Sequence, residues 1–227
     1  MKEKAKEKIQ SELKDWDYID KLENNILDFN LNKKMQERDE FYDIFSYDNK
    51  AKRISVNAYF HDETMEYKVL IKIGLIEFCD VSFFSNNVDD FQRKIQENLE
   101  KLIMKLDSKD GTKLSSLIED KGIMSWNYEG LLPQKSEGFS LFITPKTPIE
   151  TVNGSYIIFD YADFEINTDF TIYYNIFRDE FFGESRILGT PTVTYDFDSK
   201  NLKELEDKLK NKMVDYLKEI RKLASHE

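Results

Sequence analysis

One cysteine, two histidines, four prolines and eight glycines are spread over 227 residues, and these scarcities exclude several kinds of chemistry. A lone Cys79 forbids an intramolecular disulfide, and its place inside the apolar run from Leu75 to Phe84 gives it the role of a small hydrophobe. His61 falls in a short polar connection and His226 near the last residue. Paired Cys or His ligands for zinc are therefore absent, and a Ser-His-acid or Cys-His relay would have to use His61, with no nucleophile-elbow pattern to serve it. No glycine-rich phosphate loop occurs either, so the hydrolase, kinase and dinucleotide-binding classes lose their usual supports and no cofactor is expected.

Long apolar runs are also missing. No stretch of 18 apolar residues exists, and the opening MKEKAKEKIQSELKDW is charged throughout, so neither a membrane span nor a signal peptide is expected; the expected location is the cytoplasm. Basic residues are outnumbered, 33 against 44 acidic ones, which leaves a formal charge of −11. That balance opposes nucleic-acid phosphates and anionic membranes as partners, and favours a protein with a basic or amphipathic surface; self-association into a homo-oligomer is left open. The acidic surplus is concentrated between residues 155 and 198, where Arg178 and Arg186 face nine carboxylates.

What the chain does have is aromatic mass, 17 Phe, 12 Tyr and 2 Trp, enough to build real cores in two units of about 110 residues. From Ile9, apolar residues recur every three or four positions through Leu13, Trp16, Ile19, Leu22, Ile26 and Phe29, the pattern of one long opening helix. Residues 31–40, LNKKMQERDE, are polar and read as a loop. Four strand-like segments follow, 41–47, 53–60, 65–73 and 75–84. Two of them alternate cleanly: Ile54, Val56, Ala58 and Phe60 share one face, as do Tyr67, Val69, Ile71 and Ile73. Ser85, Asn86 and Asn87 then offer capping side chains to a helix whose apolar stripe is Val88, Phe91, Ile95, Leu99, Leu102 and Leu106.

In the second half the stripe Leu202, Leu205, Leu209, Met213, Tyr216 and Ile220 repeats those spacings at a constant offset of 114 residues. The same offset aligns Phe83 with Phe197, Ser85 with Ser199, and Asn87 with Asn201. Internal duplication is the expectation, because the match crosses a strand end, a cap and a helix. Upstream strand candidates are 138–143, 155–161, 169–178 and 188–197, and residues 107–137 hold a short helical stretch, 112–120, expected to be the reduced counterpart of the opening helix.

The expected architecture is α+β: two tandem units, each a four-stranded antiparallel β-meander backed by an amphipathic helix, with an extra helix at the N-terminus. The expected boundaries are 1–107 for the first unit, 108–137 for a linker, and 138–227 for the second unit.

Two groups of carboxylates invite a chemical reading. Asp160, Asp163 and Glu165 are oxygen donors of the kind hard cations take, but no loop of EF-hand spacing surrounds them, and acidic residues on an edge strand also resist edge-to-edge pairing. Asp62 with Glu66-Tyr67-Lys68 resembles the acid-x-Lys arrangement of some nucleases over those few residues, which alternating charges on a solvated strand produce equally well. The functional expectation is a non-catalytic protein-binding protein, of the immunity-protein or chaperone kind, that meets its partner through an acidic, aromatic surface. Trp126, Tyr128, Leu131 and Leu132, set in a glycine-rich connection, are the expected anchors, with Asp160, Asp163 and Glu165 as the acidic part. The alternatives are a module for a small apolar ligand and a divergent metal-dependent enzyme.

Overall fold

The computed structural model describes residues 1–107 and 116–225. The chain divides into two compact units, Met1–Ser108 and Lys109–Glu227, each with one antiparallel sheet and its own helices, so the α+β expectation holds. Residues 108–115 of the expected linker lie outside the described residues; from residue 116 the segment belongs to the second unit. The sheets have six and seven strands where four were expected in each.

Unit 1 opens with α1 (Glu3–Leu13), which buries Ala5, Ile9 and Leu13, one residue per turn. The helix does not run on to Phe29. Asp15, Asp17, Asp20, Asn24, Asn25 and Asp28 follow, and such short polar side chains bond the nearby backbone and favour turns over helix. The apolar positions that suggested a longer helix are used differently: Trp16 turns its Nε1 to Gln92, and Tyr18–Asp20 makes one 3₁₀ turn.

The sheet runs in chain order: β1 (Asn25–Ile26), β2 (Phe29–Arg38), β3 (Phe41–Asn49), β4 (Ile54–His61), β5 (Glu66–Ile73) and β6 (Ile76–Cys79). Most of the polar stretch read as a loop is β2. Among its residues Phe29 alone is fully buried, so this strand near the sheet margin shows no apolar alternation. After a 3₁₀ turn at Val81–Phe83, α2 (Val88–Asp107) lays Val88, Phe91, Ile95, Leu99 and Ile103 inward, and the Phe91 ring stacks on Tyr67 of β5.

Unit 2 has α3 (Ser116–Asp120), β7 (Lys135–Ser136), β8 (Phe139–Ile143), β9 (Ile149–Glu150), β10 (Ser155–Asp163), β11 (Thr168–Asn175), β12 (Glu180–Ile187), β13 (Thr190–Ser199) and α4 (Leu202–Ala224). The order across its sheet is β13-β12-β11-β10-β8-β7, with β9 paired to β10. Strand β12 has no counterpart in the sequence reading, because Gly183 and its charged neighbours break the apolar pattern. The glycine answers a close approach: a Cβ there would lie 2.8 Å from Thr194 Cγ2 on β13. α4 packs on β11, β12 and β13 and closes a core that includes Phe159, Tyr161, Phe170 and Phe197.

Several side-chain bonds of unit 1 have counterparts in unit 2. Trp16 Nε1 donates to Gln92 Oε1 at 2.8 Å, and Trp126 Nε1 to Glu206 Oε1 at 2.7 Å. The Tyr47 hydroxyl donates to the Glu23 carbonyl at 2.7 Å, and that of Tyr161 to the Pro133 carbonyl at 2.6 Å. Asn87 and Asn201 each accept from the backbone N–H three residues on, the bond expected of a helix N-cap. Lys94 and Lys208 reach back to the carbonyls of Phe84 and Asp198. The third and tenth strands carry bulges at equivalent places, Asp43/Phe45 and Ile157/Phe159, and the left-handed turn residues Arg53 and Met65 match Asn167 and Asp179.

Candidate functional site

The surface expected on the connection before β8 is internal. Trp126, 7% exposed, Tyr128 and Leu132 belong to the core of unit 2, and Leu131 packs against it. The reason is physical: Trp126 lies against Tyr128 and Phe159, and its indole N–H is used by Glu206 on α4. A large apolar side chain with its polar atom satisfied inside gains more from burial than from exposure.

The three carboxylates do not converge. Asp163 is 8% exposed and accepts a 2.8 Å bond from Arg221 Nη1 of α4, while its Oδ1 accepts the backbone N–H of Glu165. Glu165 alone stands at the surface, in the turn after β10. Asp160 is fully buried, with Oδ1 taking the Thr171 hydroxyl at 2.9 Å and Oδ2 without a hydrogen-bond partner. Burial, and then the Asp169 carboxylate, raise the Asp160 pKa well above the usual range. Asp169 itself is pushed up to about 6 by burial, against the pull of Arg186, whose backbone N–H bonds it at 2.9 Å and whose guanidinium lies 3.4 Å away. The acidic sheet thus contains a buried two-carboxyl, one-arginine array.

The nuclease-like group is not assembled. Asp62 accepts the backbone N–H of Lys2, and Glu66 pairs with Lys68 at 3.1 Å. Another set meets there instead: Glu40, His61 and Glu63 bring one ligand atom each within 4.8 Å of one another, and His61 Nδ1 lies 3.1 Å from Thr64 Oγ1. An imidazole with two carboxylates is a donor set that divalent transition ions accept. Both glutamates are exposed on hairpin connections, as solvated surface acids ordinarily are.

The site that sequence reasoning missed is an edge. β13 is the outermost strand of the second sheet, ten residues long, and exposes Thr190, Pro191, Thr192, Val193, Tyr195 and Asp196. Val193 is 52% exposed and Tyr195 78%. Its inner rim pairs with β12 in the register Ile187↔Thr190 to Gly183↔Thr194. The equivalent edge of unit 1, β6, has four residues. The other long margin, β2 beyond its short pairing with β1, carries Lys33, Lys34 and Arg38 and a bulge between Lys33 and Gln36, devices that blunt an edge. β13 carries no lysine or arginine, and Thr, Val and Tyr favour extended backbone; its regular ladder with β12 runs from Thr190 to Thr194, with Pro191 offering no N–H, and the register breaks between Thr194 and Ser199. Glu184, opposite Val193, adds negative charge beside the apolar positions, while Asp196 is paired with Lys212 of α4 at 2.5 Å.

These features define an antiparallel α+β protein of two similarly framed units, one with an open, acid-flanked edge strand. Comparison with known protein families, with curated proteins and with solved structures finds no match. Among the described residues no helix is long and apolar enough to cross a membrane.

Proposed function

We propose that the chain is a non-catalytic protein-binding protein that takes up an extended, basic or amphipathic segment of its partner along β13. The observation that carries this reading is the outermost position of β13, with Val193 and Tyr195 exposed and no lysine or arginine on the strand. Main-chain hydrogen bonds to an added strand supply affinity without sequence preference. Val193 and Tyr195 on the strand, with Glu184 opposite Val193, favour partner residues that alternate apolar with Lys or Arg. Selection of dodecapeptides from a display library tests this. Enriched sequences should alternate apolar and basic residues, and a Val193→Lys, Tyr195→Lys variant should lose at least tenfold in affinity for them; enrichment of unrelated sequences, or equal binding by the variant, contradicts the proposal.

We further infer that the two units derive from one ancestral sheet-and-helix unit by internal duplication. Support comes from the recurring indole, tyrosine, lysine and asparagine bonds and from the matched bulges and left-handed turns. On this reading β13 is β6 lengthened, and its open edge is a feature acquired by the second copy.

A further inference from the structure

We propose that unit 1 holds a single-chain amphipathic anion, a hydrocarbon tail ending in a carboxylate, in the pocket between α1 and β2. This site belongs to unit 1 and does not depend on the reading given to β13. The pocket has a volume of about 530 Å³, within the range of small-molecule sites. Ile9 and Leu13 of α1, Met35 of β2 and the Tyr42 ring of β3 give it apolar walls.

Charge decides the head group. Glu37 at the pocket is shared by two cations, the Met1 ammonium at 2.8 Å and Lys6 at 3.1 Å. Lys14, which also lines the pocket, is exposed and has no ion-pair or hydrogen-bond partner among the described residues. Three cations, the Met1 ammonium, Lys6 and Lys14, against the one carboxylate of Glu37 beside apolar walls fit an anion attached to a hydrocarbon chain, and disfavour an amine of the same length.

Met35 gives the pocket a built character. It sits in the bulge of β2 with φ +45, a left-handed conformation that a bulky side chain adopts at a cost of roughly 1 kcal/mol. Bulges re-aim a side chain out of the regular pleat, and a thioether adapts its shape to a ligand. The corresponding stretch of unit 2, between β8 and β9, contains Pro145 and Pro148, and the strand is interrupted there. The pocket is therefore built from parts of unit 1 that unit 2 does not repeat.

The test uses the full chain with its methionine methyl groups labelled with carbon-13, and three probes: decanoate, decan-1-ol and decylamine. Decanoate should shift the Met35 methyl resonance saturably and bind at least fivefold tighter than the other two. Lys14→Glu should remove that preference, and Gln10→Trp, which fills the mouth from an exposed helix position, should abolish binding. Both positions are exposed, so the melting temperature should stay within about 2 °C of wild type; if Gln10→Trp lowers it further, Lys14→Glu decides alone. No saturable shift at Met35, decylamine binding as tightly as decanoate, or unchanged decanoate preference in Lys14→Glu overturns the proposal.

Discussion

Asp160 is held by one hydrogen bond from Thr171 to Oδ1, while its other oxygen is buried without a partner. A carboxyl whose pKa is raised in the fold is protonated there more readily than in the unfolded chain. Its favourable contribution is complete below the unfolded value of about 4 and is lost as pH rises toward and past the folded value. The same sign applies to Asp169, pushed up to about 6. Asp160→Asn keeps the acceptor for Thr171 and removes the charge. The denaturation midpoint of the variant should equal that of wild type near pH 4 and exceed it at pH 7.5, with a flatter pH profile between; a variant less stable at pH 7.5 would contradict the assignment. None of this was legible from the string around Asp160, which reads as any acidic strand, because burial of the residue is set by the sheet and not by its neighbours in sequence. Trp126 and Tyr128 were misplaced for a related reason: glycines nearby suggested an exposed connection, whereas the indole N–H had a partner 80 residues away.

At the level of elements, periodicity served wherever one face is buried and failed wherever neither pattern is clean. The α2 and α4 stripes and the alternation in β4 and β5 appear in the structure close to where the spacing puts them. β2 is polar on both faces and β12 is interrupted by Gly183, so neither announces itself. Missing β12 also hid that β13 is an edge, since an edge is defined only by the strand order. Val193 and Tyr195 are exposed, so replacing both by Lys should change stability by no more than about 0.5 kcal/mol while blocking strand addition. By contrast Phe91→Ala, which empties the space against Tyr67 in the unit 1 core, should cost about 3–5 kcal/mol. Urea denaturation of the two variants separates these expectations directly.

Across the whole molecule, the likeness of the two units is legible at one offset between residues 83–106 and 197–220, but not in the segments that open each unit. Trp16-x-Tyr18 and Trp126-x-Tyr128 are spaced by 110 residues and not 114, so a search at a single offset passes over them. The structure pairs them through the bonds they make: each indole donates to an equivalent position on the helix that follows its sheet. If the two bonds are equivalent in energy as in geometry, Trp16→Phe and Trp126→Phe should each cost about 1 kcal/mol, measured by denaturant midpoint, and a difference above about 2 kcal/mol between them would argue that the frames are only superficially alike.

Hydrogen exchange on the full chain, alone and saturated with the strongest display-selected peptide, tests the binding proposal most directly. Backbone amides within Thr190–Ser199 should slow at least tenfold on binding, with no comparable change in β6 or β2, and the effect should vanish in the Val193→Lys, Tyr195→Lys variant. Protection that appears elsewhere and leaves β13 unchanged would contradict the proposal that β13 is where this protein meets its partner.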